Sequence, residues 1–205
     1  MNYQTFRDQF FEAGCFNTNH VYAWRPGFDK NNIGRWIKKG LLIKLRNSFY
    51  AFPECLKVPN FSLYVANYIY KPSYISLHTA LAFYGMIPES VVQISSITSL
   101  KTANFTNSFG TFSYKNILPR CMFGYDAKPF NDGKTILMAT PEKAILDLLY
   151  LYPFYNSTNA MRELRLDEDF ISNELNMELL NSYTEKFQNT ALNKRVHIFQ
   201  KTYSI

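Results

Sequence analysis

The chain is poor in the residues that enzyme chemistry most often needs. Its 205 residues include three cysteines, three histidines and eight glycines. Cys15, Cys55 and Cys121 are far apart and odd in number, which suits reduced thiols in a cytoplasm better than a disulfide framework. His20, His78 and His197 each stand more than four residues from any cysteine or other histidine, so the spacing of a metal-ligand cluster is missing. The glycines form no G-x-G cluster, which excludes a glycine-rich phosphate loop. No apolar run approaches the ~20 residues that span a bilayer. At the start, Phe6, Phe10 and Phe11 are interleaved with Arg7, Asp8, Gln9 and Glu12, unlike a secretory leader. These absences predict a cytoplasmic, membrane-free protein that uses no metal or other cofactor and is not an enzyme. Glu142 and Asp147 are the acidic pair closest to a nuclease pattern. They stand five apart on one expected helix and so point different ways, and Glu142 is better read as a helix-capping residue.

Aromatic residues and localised charge are what the chain does have. Hydrophobic residues make up 47% and aromatics 17%, which suits a folded core and excludes a disordered chain. The net charge is +6, and it is unevenly placed. Residues 1–58 carry nine Lys or Arg against four acids, whereas the remainder carries thirteen against twelve. A basic excess confined to one segment is what a phosphate-binding surface requires.

The same segment has a recognisable order of elements. Tyr3, Phe6 and Phe10 recur at helical spacing up to Gly14. A second short helix starts at Thr18, faces Val21 and Trp24 inward, and stops at Arg25-Pro26-Gly27. A third runs from Asp29 to Lys39 on the stripe Ile33, Trp36 and Ile37, with Gly40 just past its end. From Leu41 to Phe52 the period becomes that of a strand, folded at Asn47-Ser48. Three helices followed at once by a hairpin predict a winged helix-turn-helix over residues 1–58, with Pro53 to Pro59 as the exit linker.

Residues 59–205 read as a mixed α/β domain with a helical tail, giving an α+β chain as a whole. Helices are expected over Phe61–Tyr70, Ser76–Tyr84 and Thr140–Leu151, the last with Thr as N-cap and Pro at its first position. Strands are expected at Val91–Ser99, Thr111–Ile117, Cys121–Tyr125 and Thr135–Ala139, with a turn at Asn131-Asp132-Gly133. From Asn173 onward the pattern is helical.

The third helix is the natural reader of duplex DNA. Asn32, Arg35 and Lys39, spaced i, i+3 and i+7, would share the face opposite the apolar stripe. Asparagine and arginine can pair bidentately with adenine and guanine edges. Lys30, Asn31, Lys38, Lys44 and Arg46 would flank that face and neutralise phosphates, with Asn47 and Ser48 at the wing tip. A winged helix can also serve as a protein-interaction module without sequence-specific DNA binding. Salt-dependent duplex binding separates the two readings.

Three ordered stretches extend this picture. They are Gly40-Leu-Leu-Ile-Lys-Leu-Arg-Asn-Ser-Phe-Tyr50, Lys71-Pro-Ser-Tyr-Ile-Ser-Leu-His-Thr-Ala-Leu-Ala-Phe-Tyr-Gly-Met-Ile-Pro88 and Ala139-Thr-Pro-Glu-Lys-Ala-Ile-Leu-Asp-Leu-Leu-Tyr150. Their order and spacing resemble the AbiEi family of antitoxins from type IV toxin–antitoxin, or abortive-infection, systems. The resemblance covers roughly residues 1–152, and Ser48 stands where that family more often has glycine. It implies a repressor of its own operon, with a winged helix followed by a domain required for antitoxin activity. The functional partner it implies is a nucleotidyltransferase-like toxin, opposed without a stable complex.

Overall fold

The helical spacing of Tyr3, Phe6 and Phe10 produces α1 (Tyr3–Phe10), capped by the Asn2 side chain, which accepts the Gln4 N–H. The computed structural model describes residues 1–89 and 91–205. Next come β1 (Cys15–Asn17), α2 (Thr18–Trp24), α3 (Asn31–Lys38) and the hairpin β2 (Ile43–Arg46) and β3 (Phe49–Ala51). β1 was too short to announce itself in the sequence. It pairs antiparallel with β3, giving a three-stranded sheet ordered β1-β3-β2. The core of this part is aromatic: the Phe6 ring lies 4.7–5.7 Å from those of Phe10, Phe16, Phe28 and Trp36. Rings at these separations contribute stability beyond the area they bury.

The expected linker is not a free strand of chain. Pro53–Lys57 forms a turn of 3-10 helix with Cys55 buried, and α4 (Phe61–Ile69) follows directly. Phe61 seats on Gly14, where a Cβ would come within 2.8 Å of its ring; Gly14 also has φ +70°, so a side chain there is excluded twice over.

The rest of the chain is built on six strands in the order β6-β7-β5-β4-β9-β8. They are β4 (Ser73–Ile75), β5 (Gln93–Thr98), β6 (Ala103–Asn107), β7 (Gly110–Asn116), β8 (Tyr125–Pro129) and β9 (Thr135–Ala139). The β4–β9 and β5–β7 pairs are parallel and the other pairs antiparallel. Helices α5 (Leu77–Phe83) and α6 (Pro141–Leu151) pack on one another, and α7 (Thr158–Arg162), α8 (Glu168–Asn173), α9 (Met177–Phe187) and α10 (Thr190–Tyr203) complete a helical C-terminal region. The mixed α+β class and the helical tail are as the sequence predicts. The strand expected over Cys121–Tyr125 is not formed there. Pro119–Cys121 is 3-10 helix and Gly124 turns the chain at φ +69°, so β8 begins only at Tyr125. No helix of the described residues is long and apolar enough to cross a membrane.

One feature of this core is polar. Lys143 and Asp147, one turn apart on α6, are wholly buried and form an ion pair. The Lys143 ammonium also donates to the Tyr74 hydroxyl (2.8 Å), and Asp147 accepts from Tyr74 (2.9 Å) and Ser76 (2.8 Å). Phe123 and Phe187 present their rings 5.0 and 4.7 Å from the ammonium. Burial pulls the Lys143 pKa down and pushes the Asp147 carboxyl up, each opposed by the charge of the other. Thr140 caps α6 as expected, accepting the Lys143 N–H. Glu142 reaches further than its own helix: it is buried, and its carboxylate accepts the Asn176 N–H (3.0 Å) at the start of α9.

Candidate nucleic-acid interface

The exposed face of α3 follows from where its apolar residues must go. Ile33 and Trp36 are buried against α1, which leaves Asn31, Gly34, Arg35 and Lys38 on the outer side at helical spacing. Asp29 accepts the Asn31 N–H (2.9 Å) and so terminates the helix at its N-terminal end. The hairpin folds back beside this face. Its turn is fixed to α2 by the Thr18 N–H, which donates to the Ser48 carbonyl (3.0 Å). Ser48 itself has φ +69°, the left-handed region that favours glycine, which accounts for a tight turn at this point.

Between α2, α3 and the hairpin lies an open groove of about 730 Å³. Lys30, Arg35, Lys38 and Lys44 line it together with Asn31, Tyr22, Tyr50, Thr18 and Ser48, and no carboxylate of the described residues does. Four cations facing one concave surface produce a positive potential, with hydroxyl and amide donors between them. Burial pushes the Tyr50 phenol up, aided by Tyr22, so it remains a neutral donor. Arg35 is 63% exposed at its side chain, with one loose ion pair to Asp29 (3.4 Å). An exposed pair of this kind costs little to open.

Four of the residues expected in the interface lie outside the groove lining, and two of them, Asn32 and Arg46, are turned to other partners. Asn32 does not share the outer face with Arg35 and Lys39: it is 7% exposed. Its amide donates to the Asp29 carbonyl (2.9 Å) and accepts from Arg35 (2.7 Å), so it orients Arg35 and cannot reach a base edge. The i, i+3, i+7 spacing was right for a helix face, but the stripe beside Ile33 is wide enough to include Asn32. Arg46 points away from the groove. Its guanidinium donates to the Ile69 carbonyl (2.8 Å) and lies over the Phe105 and Tyr70 rings (4.7 and 5.1 Å). It ties β2 to α4 and β6, and Asn107 adds a bond to the Leu45 carbonyl (3.1 Å). Lys39, at the C-terminal cap of α3, is exposed but outside the groove lining, and Asn47 is exposed on the side of the hairpin that faces Asn104 and Thr106. Tyr22, Tyr50 and Thr18 were missed. Nothing in their spacing marks them, because only the fold brings α2 and β3 to the same groove as α3.

Among the described residues there is no group of three or more His, Cys, Asp or Glu able to hold a metal ion. The chain matches no protein-family model and no curated protein.

Proposed function

We propose that the protein is a DNA-binding transcriptional repressor whose N-terminal segment is a winged helix-turn-helix, with α3 as the helix that enters the major groove and the β2–β3 hairpin as the wing. The observation that carries this reading is the groove lined by four cations and no carboxylate, set between that helix and that hairpin. In the resulting mode of binding, Arg35 is the base reader, one nitrogen of its guanidinium held by Asn32, and Asn31 lies one turn before it. Lys30, Lys38 and Lys44 meet phosphates and set the register. Thr18 and Ser48, where the hairpin turn meets the start of α2, are placed to meet the same backbone.

The biological role rests on the resemblance to AbiEi antitoxins. On that reading the protein acts in the cytoplasm, represses its own operon and counteracts a nucleotidyltransferase-like toxin without a stable complex. The experiment pairs a promoter-reporter assay with growth rescue of cells producing a nucleotidyltransferase-like toxin of the kind the resemblance implies. Arg35→Ala is expected to lose repression and to keep rescue, because Arg35 lies outside the packed core. Undiminished repression by that variant would remove Arg35 as a reader. Failure of the wild-type chain to rescue would end the antitoxin reading and leave the repressor standing.

A further inference from the structure

A second cleft, of about 610 Å³, lies on the α4 flank of the six-stranded sheet. It coincides with a break in strand pairing. β4 and β9 pair only through Ile75 and Met138, and the ladder does not continue toward Ser73 and Thr135. Asn67 of α4 bridges to β9 instead, accepting the Leu137 N–H (2.5 Å) and donating to the Leu137 carbonyl (3.2 Å). Tyr64, Tyr68 and Tyr125 form the walls, and among the described residues Lys71 is the one charged residue in the lining. The Tyr125 ring is held flat by stacking on buried Tyr74, with centroids 4.5 Å apart. The Lys71 ammonium is exposed, 5.3 Å from the Tyr68 ring.

Ser73 is the telling residue. It lines the cleft, is 4% exposed, and its hydroxyl is buried with no hydrogen-bond partner among the described residues. A buried hydroxyl left unpaired is costly, and where such a group persists a partner from outside the chain is the economical explanation. Tyrosine faces, a single ammonium at the mouth and an unpaired hydroxyl within, in a cavity of small-molecule size, define a ligand chemistry. We propose that this cleft binds a small planar aromatic anion. Its ring lies against the tyrosines, its anionic group pairs with Lys71, and the buried Ser73 hydroxyl, with no bond to give up, rotates to meet a polar edge. Nucleoside monophosphates and aromatic carboxylates both carry this chemistry.

Position gives the site a consequence. Tyr68 shares a hydrogen bond with His20 of α2 (3.1 Å) and sits edge-on to Phe49 of β3 (5.8 Å). An occupant touching Tyr68 therefore bears on the two elements that flank the cationic groove. That consequence rests on the DNA-binding reading; occupancy of the cleft does not, and the test uses no DNA. The full chain is titrated by calorimetry with adenosine, guanosine and uridine monophosphates, and separately with benzoate, salicylate and 4-hydroxybenzoate. One of the two sets is expected to saturate at one site per chain, which identifies the source. Lys71→Ala and Ser73→Ala should each weaken that binding about tenfold, the equivalent of one lost charged or neutral hydrogen bond. Lys71 is exposed, so its variant folds, and Ser73→Ala should melt no lower than wild type because it removes an unpaired hydroxyl. No saturable binding by either set, or binding that either variant leaves unchanged, overturns the proposal.

Discussion

Helices α3 and α6 carry the same cation and use it in opposite ways. Lys38 on α3 is exposed and lines an open groove with three other cations. Lys143 on α6 is wholly buried and has Asp147, Tyr74 and two aromatic rings around it. A solvated ammonium is cheap to hold and ready for an anionic partner. A buried one must be paired on every side, and it then fixes the arrangement of whatever it is paired with. The first arrangement leaves the charge open to an anionic partner. The second is part of the fold, joining α6 to β4 and the start of α5.

The sharpest way to break this contrast is to remove the partner of the buried cation. Asp147→Ala leaves Lys143 buried and unpaired, and is expected to cost about 3–5 kcal/mol in denaturant unfolding. Replacing both partners by apolar residues (Lys143→Met with Asp147→Leu) should recover only part of that loss: the desolvation penalty goes with the charges, but the Tyr74 and Ser76 hydroxyls lose their acceptor. A single Asp147→Ala variant as stable as wild type would show that the buried pair is not held as a unit.

A smaller effect is expected at the joint between the two sheets. Arg46→Ala removes the bond to the Ile69 carbonyl and the contact with Phe105 and Tyr70. The expected loss is about 1–2 kcal/mol, with a weaker grip on DNA following from a looser hairpin. Lys44→Ala, two residues away and exposed, should weaken DNA binding with stability unchanged within about 0.5 kcal/mol. If Arg46→Ala and Lys44→Ala behave alike, the distinction between clamp and contact fails.

Within α3 the contrast narrows to neighbours on one helix. Arg35→Ala should weaken operator binding by about 1–3 kcal/mol and relax preference at one base position, leaving the melting temperature nearly unchanged. Asn32→Ala should lower stability by about 1 kcal/mol through the lost bond to the Asp29 carbonyl, and weaken binding only through the freed Arg35. Selected-duplex sequencing of both variants separates a reader from its support.

The smallest expected effect is a pH dependence from the second half of the chain. Burial lowers the His78 pKa below its usual 6.5, with Glu89 partly opposing. The folded state therefore prefers the neutral ring, so this contribution is present above pH 6.5 and is lost as the pH falls through the depressed value. Melting temperature should drop on acidification from pH 7 to 5, and His78→Gln should lessen the drop.

Much of the fold could be read from the sequence, because strong local signals agreed with their tertiary setting. α6 was announced by Thr140-Pro141-Glu142, and β9 by alternation over Thr135–Ala139. The three-residue strands β1 and β4 escaped because a run that short carries no period; pairing partners distant in sequence make them strands. The interface was legible as far as charge and helix order go. Asn32 and Arg46 were misplaced for one reason: a polar residue beside an apolar stripe can turn inward when a partner waits there. The Arg35 side chain, the Asp29 carbonyl and the Ile69 carbonyl are such partners. The reverse case is Lys143, whose partners stand at 74 and 147 and meet only when β4 comes to lie beneath α6.

On the proposed function, the groove between α3 and the hairpin holds the phosphate backbone of duplex DNA. The most direct test is the slope of log binding constant against log salt concentration for the full chain on duplex DNA. If Lys30, Arg35, Lys38 and Lys44 all engage phosphates or bases, the slope should lie between about −3 and −4, and Lys38→Ala should reduce its magnitude by about one. A slope near zero, or one that Lys38→Ala leaves unchanged, would contradict the account.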